Sequence, residues 1–94
     1  MDFEWDEQKA NANIFKRGVT FEEAKTVFED AYAAIITDLL HSDDEPRDLI
    51  IGYSAQNWLL FVSYTERGET VRLISARLAT KREREKHERE TYSG

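Results

Sequence analysis

The sequence has no cysteine, a single proline and no long apolar run, and each absence limits what the protein can be. Without cysteine, neither a disulfide nor a thiolate metal site can form, and two histidines are too few for a histidine-rich metal site. No apolar stretch approaches membrane-spanning length, and the acidic first four residues do not resemble a secretory signal. We therefore expect a cytoplasmic protein without membrane association, bound metal or other cofactor.

The charge of the chain is acidic overall but unevenly distributed. The 94 residues fit one small domain, and their net charge of −6 by itself disfavours nucleic-acid binding. Residues 1–46 hold 12 acidic and 4 basic side chains, whereas residues 47–94 hold 7 acidic and 9 basic ones. Eight of the thirteen basic residues are arginine, which suits planar, bidentate contacts with anions. A candidate anion site therefore belongs to the second half.

Local patterns predict an α+β fold in which two N-terminal helices pack on one face of an antiparallel sheet. Asp6 is a suitable N-cap for a first helix that Gly18 ends, and Thr20 with Glu23 forms a capping box for a second helix reaching about residue 29. Alternating apolar residues and turn signals predict strands at residues 3–5, 33–37, 47–54, 58–65 and 70–77.

The C-terminal segment is predicted to be a charged helix outside a globular core of residues 1–78. Thr80 and Glu83 form a second capping box before residues 81–90, which are almost continuously charged. A helix without an apolar stripe cannot dock deeply on its own fold, so we expect residues 79–94 to be a mobile charged helix and tail.

The last predicted strand carries two arginines, Arg72 and Arg77, within a largely apolar run. A cation in such a strand needs a carboxylate, a carbonyl or a bound anion as its partner. Because side chains alternate along a strand, an offset of five places the two arginines on opposite faces unless a bulge intervenes. We expect Arg77, at the end of the strand, to be the better candidate for a site.

Two groups of residues follow a recognisable order and spacing. They are Phe3-Glu4-Trp5-Asp6, Lys9-Ala10, Asn13, residues 16–24, Val27-Phe28, residues 64–68, Ile74-Ser75-Ala76-Arg77, Ala79-Thr80 and Arg82-Glu83-Arg84. Taken together, they resemble the BrnT toxin family over roughly residues 3–88. The resemblance implies a RelE-like ribonuclease fold, RNA cleavage that arrests translation, and neutralisation by a BrnA-like antitoxin. It also implies operator-DNA binding only through the toxin–antitoxin complex. The chain departs from the family at Arg17, where histidine is usual, at Ala31, where proline is common, and at His87, where tyrosine is common.

Metal-independent RNA cleavage needs a base, cations that stabilise the phosphorane, and an acid for the leaving oxygen. Each candidate also has a structural alternative: a salt bridge for an arginine, a solvated loop for a histidine, core packing for a tyrosine and helix capping for the Lys16-Arg17 pair. The catalytic candidates are Arg77 and Arg47 as phosphate-binding groups and His41 and Tyr64 as lower-ranked proton carriers, and the RNA-binding candidates are Arg72, Lys16 and Arg17.

Two other functions remain open from the residues. In the first, the chain is a catalytically inactive interaction protein of such a complex. In the second, it is a structural domain that forms a homodimer or larger oligomer through residues 58–64. The charged helix is likewise either a solvated helix laced with pairs such as Glu83 and His87, or an element that contacts RNA or rearranges on antitoxin binding.

Overall fold

The computed structural model describes residues 1–38 and 46–92, and these residues form the predicted α+β fold. No helix among them is long and apolar enough to cross a membrane. The strands are β1 (Asp2–Glu4), β2 (Ala34–Asp38), β3 (Arg47–Tyr53), β4 (Leu59–Arg67) and β5 (Thr70–Leu78), and the helices are α1 (Glu7–Arg17), α2 (Phe21–Lys25) and α3 (Lys81–Tyr92).

The N-terminal helices begin where the capping residues predict. The Asp6 carboxylate accepts hydrogen bonds from two backbone N–H groups in the first turn of α1, and Gly18 ends the helix with a φ of 71°. The Thr20 hydroxyl accepts the N–H of Glu23 at 3.0 Å. The second helix is shorter than predicted, because residues Thr26–Glu29 form a 3₁₀ turn instead of continuing α2.

The sheet has the strand order β1-β5-β4-β3-β2 within the described residues. Neighbours among β2 to β5 are antiparallel as predicted, but β1 pairs parallel with β5, so the sheet is mixed. β4 is hydrogen-bonded along both edges and cannot add a strand from a second copy. This position removes strand pairing through residues 58–64 as a route to an oligomer.

The core lies between the sheet and the N-terminal helices. Tyr64 of β4 and Phe21 of α2 are its largest fully buried side chains, and the Phe28 ring meets Tyr64 edge-on at a centroid distance of 5.0 Å. The 3₁₀ turn and the residues after it pack closely on β3, because a Cβ at Gly52 would lie 3.0 Å from Cγ1 of Val27 and 2.9 Å from the Cβ of Ala33.

A β-bulge changes which residues of β5 share a face. Ser63 pairs with Ser75 but the next residue of β4, Tyr64, pairs with Leu73, so Ile74 is an extra residue in β5. Arg72 and Arg77 therefore lie on the same face of the sheet, the one opposite α1 and α2. The expectation that they lie on opposite faces is wrong for this reason.

The charged helix α3 docks on the sheet, contrary to expectation. The Tyr53 hydroxyl donates a hydrogen bond to Glu88 (2.8 Å), and His87 is only 7% exposed with its ring 6.0 Å from that of Tyr53. Contacts of Tyr53 with Glu88 and His87 hold part of the helix against β3. The sequence pattern of residues 81–90 does not reveal these contacts, because they do not form an apolar stripe along the helix.

Candidate functional site

The sheet face opposite α1 and α2 carries three of the predicted cations, and we call it the arginine face. It consists of alternate residues of β3, β4 and β5, with the bulge bringing both arginines of β5 onto it. Its members are Arg47, Leu49, Ile51, Tyr53, Leu59, Phe61, Ser63, Thr65, Arg72, Ser75 and Arg77.

A cavity of about 200 Å³ on this face brings Arg17 and Arg77 together. The two arginines come from the end of α1 and the end of β5, and Ser63 of β4 and Ser75 of β5 also line the cavity. Two cations and two hydroxyl donors around one small cavity form a suitable site for an anion. The other lining residues are Leu49, Phe61 and Ala76.

Asn13 fixes the end of α1 to this cavity. Its side-chain amide donates to the carbonyls of Val19 (2.8 Å) and Ala76 (2.9 Å), and its carbonyl accepts the N–H of Ala76 (3.0 Å). β1 pairs only with the first residues of β5, so Asn13 takes the place of a neighbouring strand beside Ala76. The available sequence signal is a polar residue three positions after the buried Ala10, on the inner side of an amphipathic helix.

Arg77 is held by an ion pair with Glu83, as its structural alternative predicts. Its Nη1 and Nη2 donate to the two carboxylate oxygens at 2.8 and 2.9 Å, and Nη1 also donates to the carbonyl of Leu78 at 3.3 Å. The guanidinium lies 4.3 Å from the centroid of the Phe61 ring. Hydrogen bonds from Arg77 and from the N–H of Thr80 lower the pKa of Glu83 to about 2, so the carboxylate is charged near neutral pH.

Two N–H groups of Arg77 remain available for a ligand. Of the five guanidinium N–H groups, three are used by Glu83 and Leu78. The group on Nε and the second one on Nη2 make no hydrogen bond within residues 1–38 and 46–92. These two point the same way in a planar guanidinium, so they can bind two oxygens of one phosphate. We call them the side-on pair.

A second group of polar residues crosses the arginine face farther from α3. Thr65 pairs with Arg72 on β5, and Arg47 lies beside it on β3 because the next residue, Asp48, pairs with Tyr64. Arg72 also donates from Nη1 to Glu4 at 2.9 Å, which links β5 to β1. Thr65 lies four positions along β4 from Phe61, which pairs with Arg77, a distance of about 13 Å.

Of the two predicted proton carriers, Tyr64 does not line the Arg17–Arg77 cavity. Tyr64 is 1% exposed and lies on the opposite face, where burial raises the pKa of its hydroxyl to about 12. His41 lies outside the described residues. Lys16 is exposed at the end of α1 and does not line the cavity, whereas its neighbour Arg17 does. The roles of His41 and Tyr64 in proton transfer stay predictions.

Comparisons with known proteins agree with this architecture. Residues 5–83 match the model of a family described as the ribonuclease toxin, BrnT, of a type II toxin–antitoxin system. The crystal structure of the Brucella abortus ribonuclease toxin BrnT, at 1.1 Å resolution, superposes with a TM-score of 0.67 and 25% sequence identity. That likeness covers 86% of this chain and 99% of the Brucella chain. A comparison with curated proteins gives no match.

Proposed function

Because this chain belongs to the BrnT family of type II toxin–antitoxin ribonuclease toxins, we propose that it cleaves RNA in the cavity lined by Arg17 and Arg77. The observation that carries this proposal is the convergence of two arginines and two serine hydroxyls on one small cavity. Cleavage would arrest translation, and a BrnA-like antitoxin would neutralise the protein.

The chemistry that this cavity supports best is stabilisation of negative charge. When a ribose 2′-hydroxyl attacks the adjacent phosphorus, the phosphorane carries more negative charge than the phosphodiester, and cations fixed nearby lower the barrier. Arg77 supplies its side-on pair and Arg17 supplies a second cation. Arginine keeps its charge near neutral pH, so Arg17 cannot exchange a proton as the family's usual histidine can. His41 remains our proposed proton carrier, and Tyr64 is left out because it lies on the other face.

Arg47 and Arg72 are proposed to bind the RNA backbone beside the cleaved bond. They share the arginine face with the cavity, but their strand positions lie about 13 Å along the strands from that of Arg77, so we propose that they contact neighbouring phosphates. Such contacts position the RNA rather than read its sequence. A basic antitoxin surface would suit the acidic net charge of the chain. We also propose that another part of the antitoxin covers the arginine face. Operator DNA would be bound by the complex through the antitoxin.

The test is induced expression of the chain alone, followed by cleavage assays with the purified protein and single-stranded RNA. Growth arrest and cleavage by the wild type are expected, and Arg77→Ala should lower cleavage by about 10²-fold or more because a preorganised charge contact is lost. Arg77→Lys should be similarly impaired, since an ammonium cannot form the bidentate contact.

Arg82→Ala is the matched control, because Arg82 is exposed on α3 and its loss also removes one positive charge. It should cleave RNA like the wild type, and all variants should melt cooperatively. Normal growth with soluble, folded wild-type protein that leaves RNA intact would contradict the proposal. That result would favour the inactive interaction protein, an alternative supported by the neutralisation of Arg77 by Glu83.

A further inference from the structure

We propose that Glu83 is a positioning residue for RNA cleavage, which holds Arg77 so that its side-on pair is presented to the phosphate. The inference rests on the proposed function and assigns a role in the site to α3. It also predicts that removing the charge of Glu83 lowers the turnover of RNA without weakening its binding.

The carboxylate of Glu83 is itself fixed before it binds Arg77. It accepts the N–H of Thr80 at 2.9 Å, and the Glu83 N–H donates to the Thr80 hydroxyl at 3.1 Å, so both halves of the capping box are present. Both carboxylate oxygens then accept from Arg77. The start of α3 is thereby joined to the end of β5 through one guanidinium.

The restraints on Arg77 act in different directions. Glu83 binds the end of the guanidinium, the Leu78 carbonyl binds one side, and the Phe61 ring covers one face. The side-on pair lies on the remaining side. A guanidinium held in advance need not be ordered when the transition state forms, which is the advantage of a preorganised site.

The ion pair affects the attraction of RNA to the cavity and the orientation of the Arg77 guanidinium in different ways. Arg77 and Glu83 together carry no net charge, so the long-range attraction of the cavity for RNA depends on Arg17 among its lining residues. If Glu83 loses its charge, the cavity becomes more positive and should bind RNA at least as well. The guanidinium, however, loses one of its two charged hydrogen bonds and its fixed direction.

The experiment measures steady-state cleavage of a short single-stranded RNA oligonucleotide by the full chain. Glu83→Gln should lower kcat by about tenfold or more, with KM unchanged or lower, because misplacing a catalytic group costs turnover rather than affinity. Glu83→Asp keeps the charge but shortens the reach, so it should also lower kcat. A rise in kcat, which an inhibitory contact predicts, or an unchanged kcat would overturn the inference.

A double-mutant cycle shows whether Glu83 acts through Arg77. If it does, adding Glu83→Gln to Arg77→Ala should cause no further loss of cleavage. An equal loss in both backgrounds would mean that Glu83 supports the fold alone, and would sink the proposal. Glu85→Gln is the matched control, since it removes one acidic charge from an exposed position of α3 and should leave kcat unchanged.

The outcomes separate this inference from the proposed function. A wild type that cleaves, an Arg77→Ala variant that does not and a Glu83→Gln variant that is normal would overturn only the role of Glu83. A folded wild type that cleaves no RNA overturns both. Thermal melts of each variant establish that the protein compared is folded.

Discussion

Replacing Thr65 with valine should make the protein more stable. Thr65 is 4% exposed, and its hydroxyl oxygen is buried without a hydrogen-bond partner in the described part of the chain. A buried hydroxyl that has lost its water and gained no partner costs about 1–3 kcal/mol. Valine has nearly the same shape and favours strands, so Thr65→Val removes this cost without opening a cavity. We expect a gain of about 1 kcal/mol.

The gain is measurable by urea and thermal unfolding. For a domain of this size, about 1 kcal/mol raises the melting temperature by about 4–8 °C, with the urea dependence of the unfolding free energy unchanged. Thr37→Val is the matched control, because Thr37 is exposed on β2, and it should change stability by less than about 0.5 kcal/mol. A loss of about 1 kcal/mol or more in Thr65→Val would show that the hydroxyl has a stabilising partner and would refute the reasoning.

Three further predictions follow from close contacts and buried polar groups. Gly52→Ala should destabilise the fold by about 1–3 kcal/mol, because the new Cβ would lie 2.9 Å from the Cβ of Ala33; an unchanged urea midpoint would contradict this. Asn13→Ala should lower the free energy of unfolding by about 1–3 kcal/mol, because the N–H and carbonyl of Ala76 lose their partner. It should also slow RNA cleavage. A variant that is neutral in both assays would show that water replaces the amide. The pKa of Glu83 is lowered from 4.5 to about 2, so its contribution to stability is fully present above pH 4.5 and is lost as pH falls towards 2. Since both partners are partly exposed, we expect about 1–2 kcal/mol, and Glu83→Gln should unfold less steeply with acid; identical acid profiles would contradict the linkage.

The features that the sequence predicts well depend on interactions between residues close in the chain. Asp6, Gly18 and the Thr80-Glu83 box determine helix ends through contacts within a few residues, and the structure confirms each of them. Strand positions are likewise visible in alternating patterns of a few residues. Such signals do not require knowledge of the tertiary structure.

The features that were missed depend on contacts between distant segments. The bulge at Ile74 arises from the pairing between β4 and β5. The alternation of side chains along β5 alone therefore predicted, wrongly, that Arg72 and Arg77 lie on opposite faces. The docking of α3 depends on Tyr53, more than thirty residues before His87, because one aromatic contact replaces the apolar stripe. Glu23 is a further example. The sequence places it in a capping box with Thr20, but its carboxylate accepts hydrogen bonds from Gln56 in the turn after β3, a contact between distant segments.

The position of Arg17 in the structure indicates what its departure from the family pattern does to the proposed site. The resemblance to the family implies a histidine at this position, which could carry a proton. In the structure Arg17 lines the cavity beside Arg77, whose charge is neutralised by Glu83. Among the described residues that line this cavity, Arg17 therefore supplies the net positive charge. In the proposed function this chain therefore binds RNA through Arg17, and proton transfer comes from another residue.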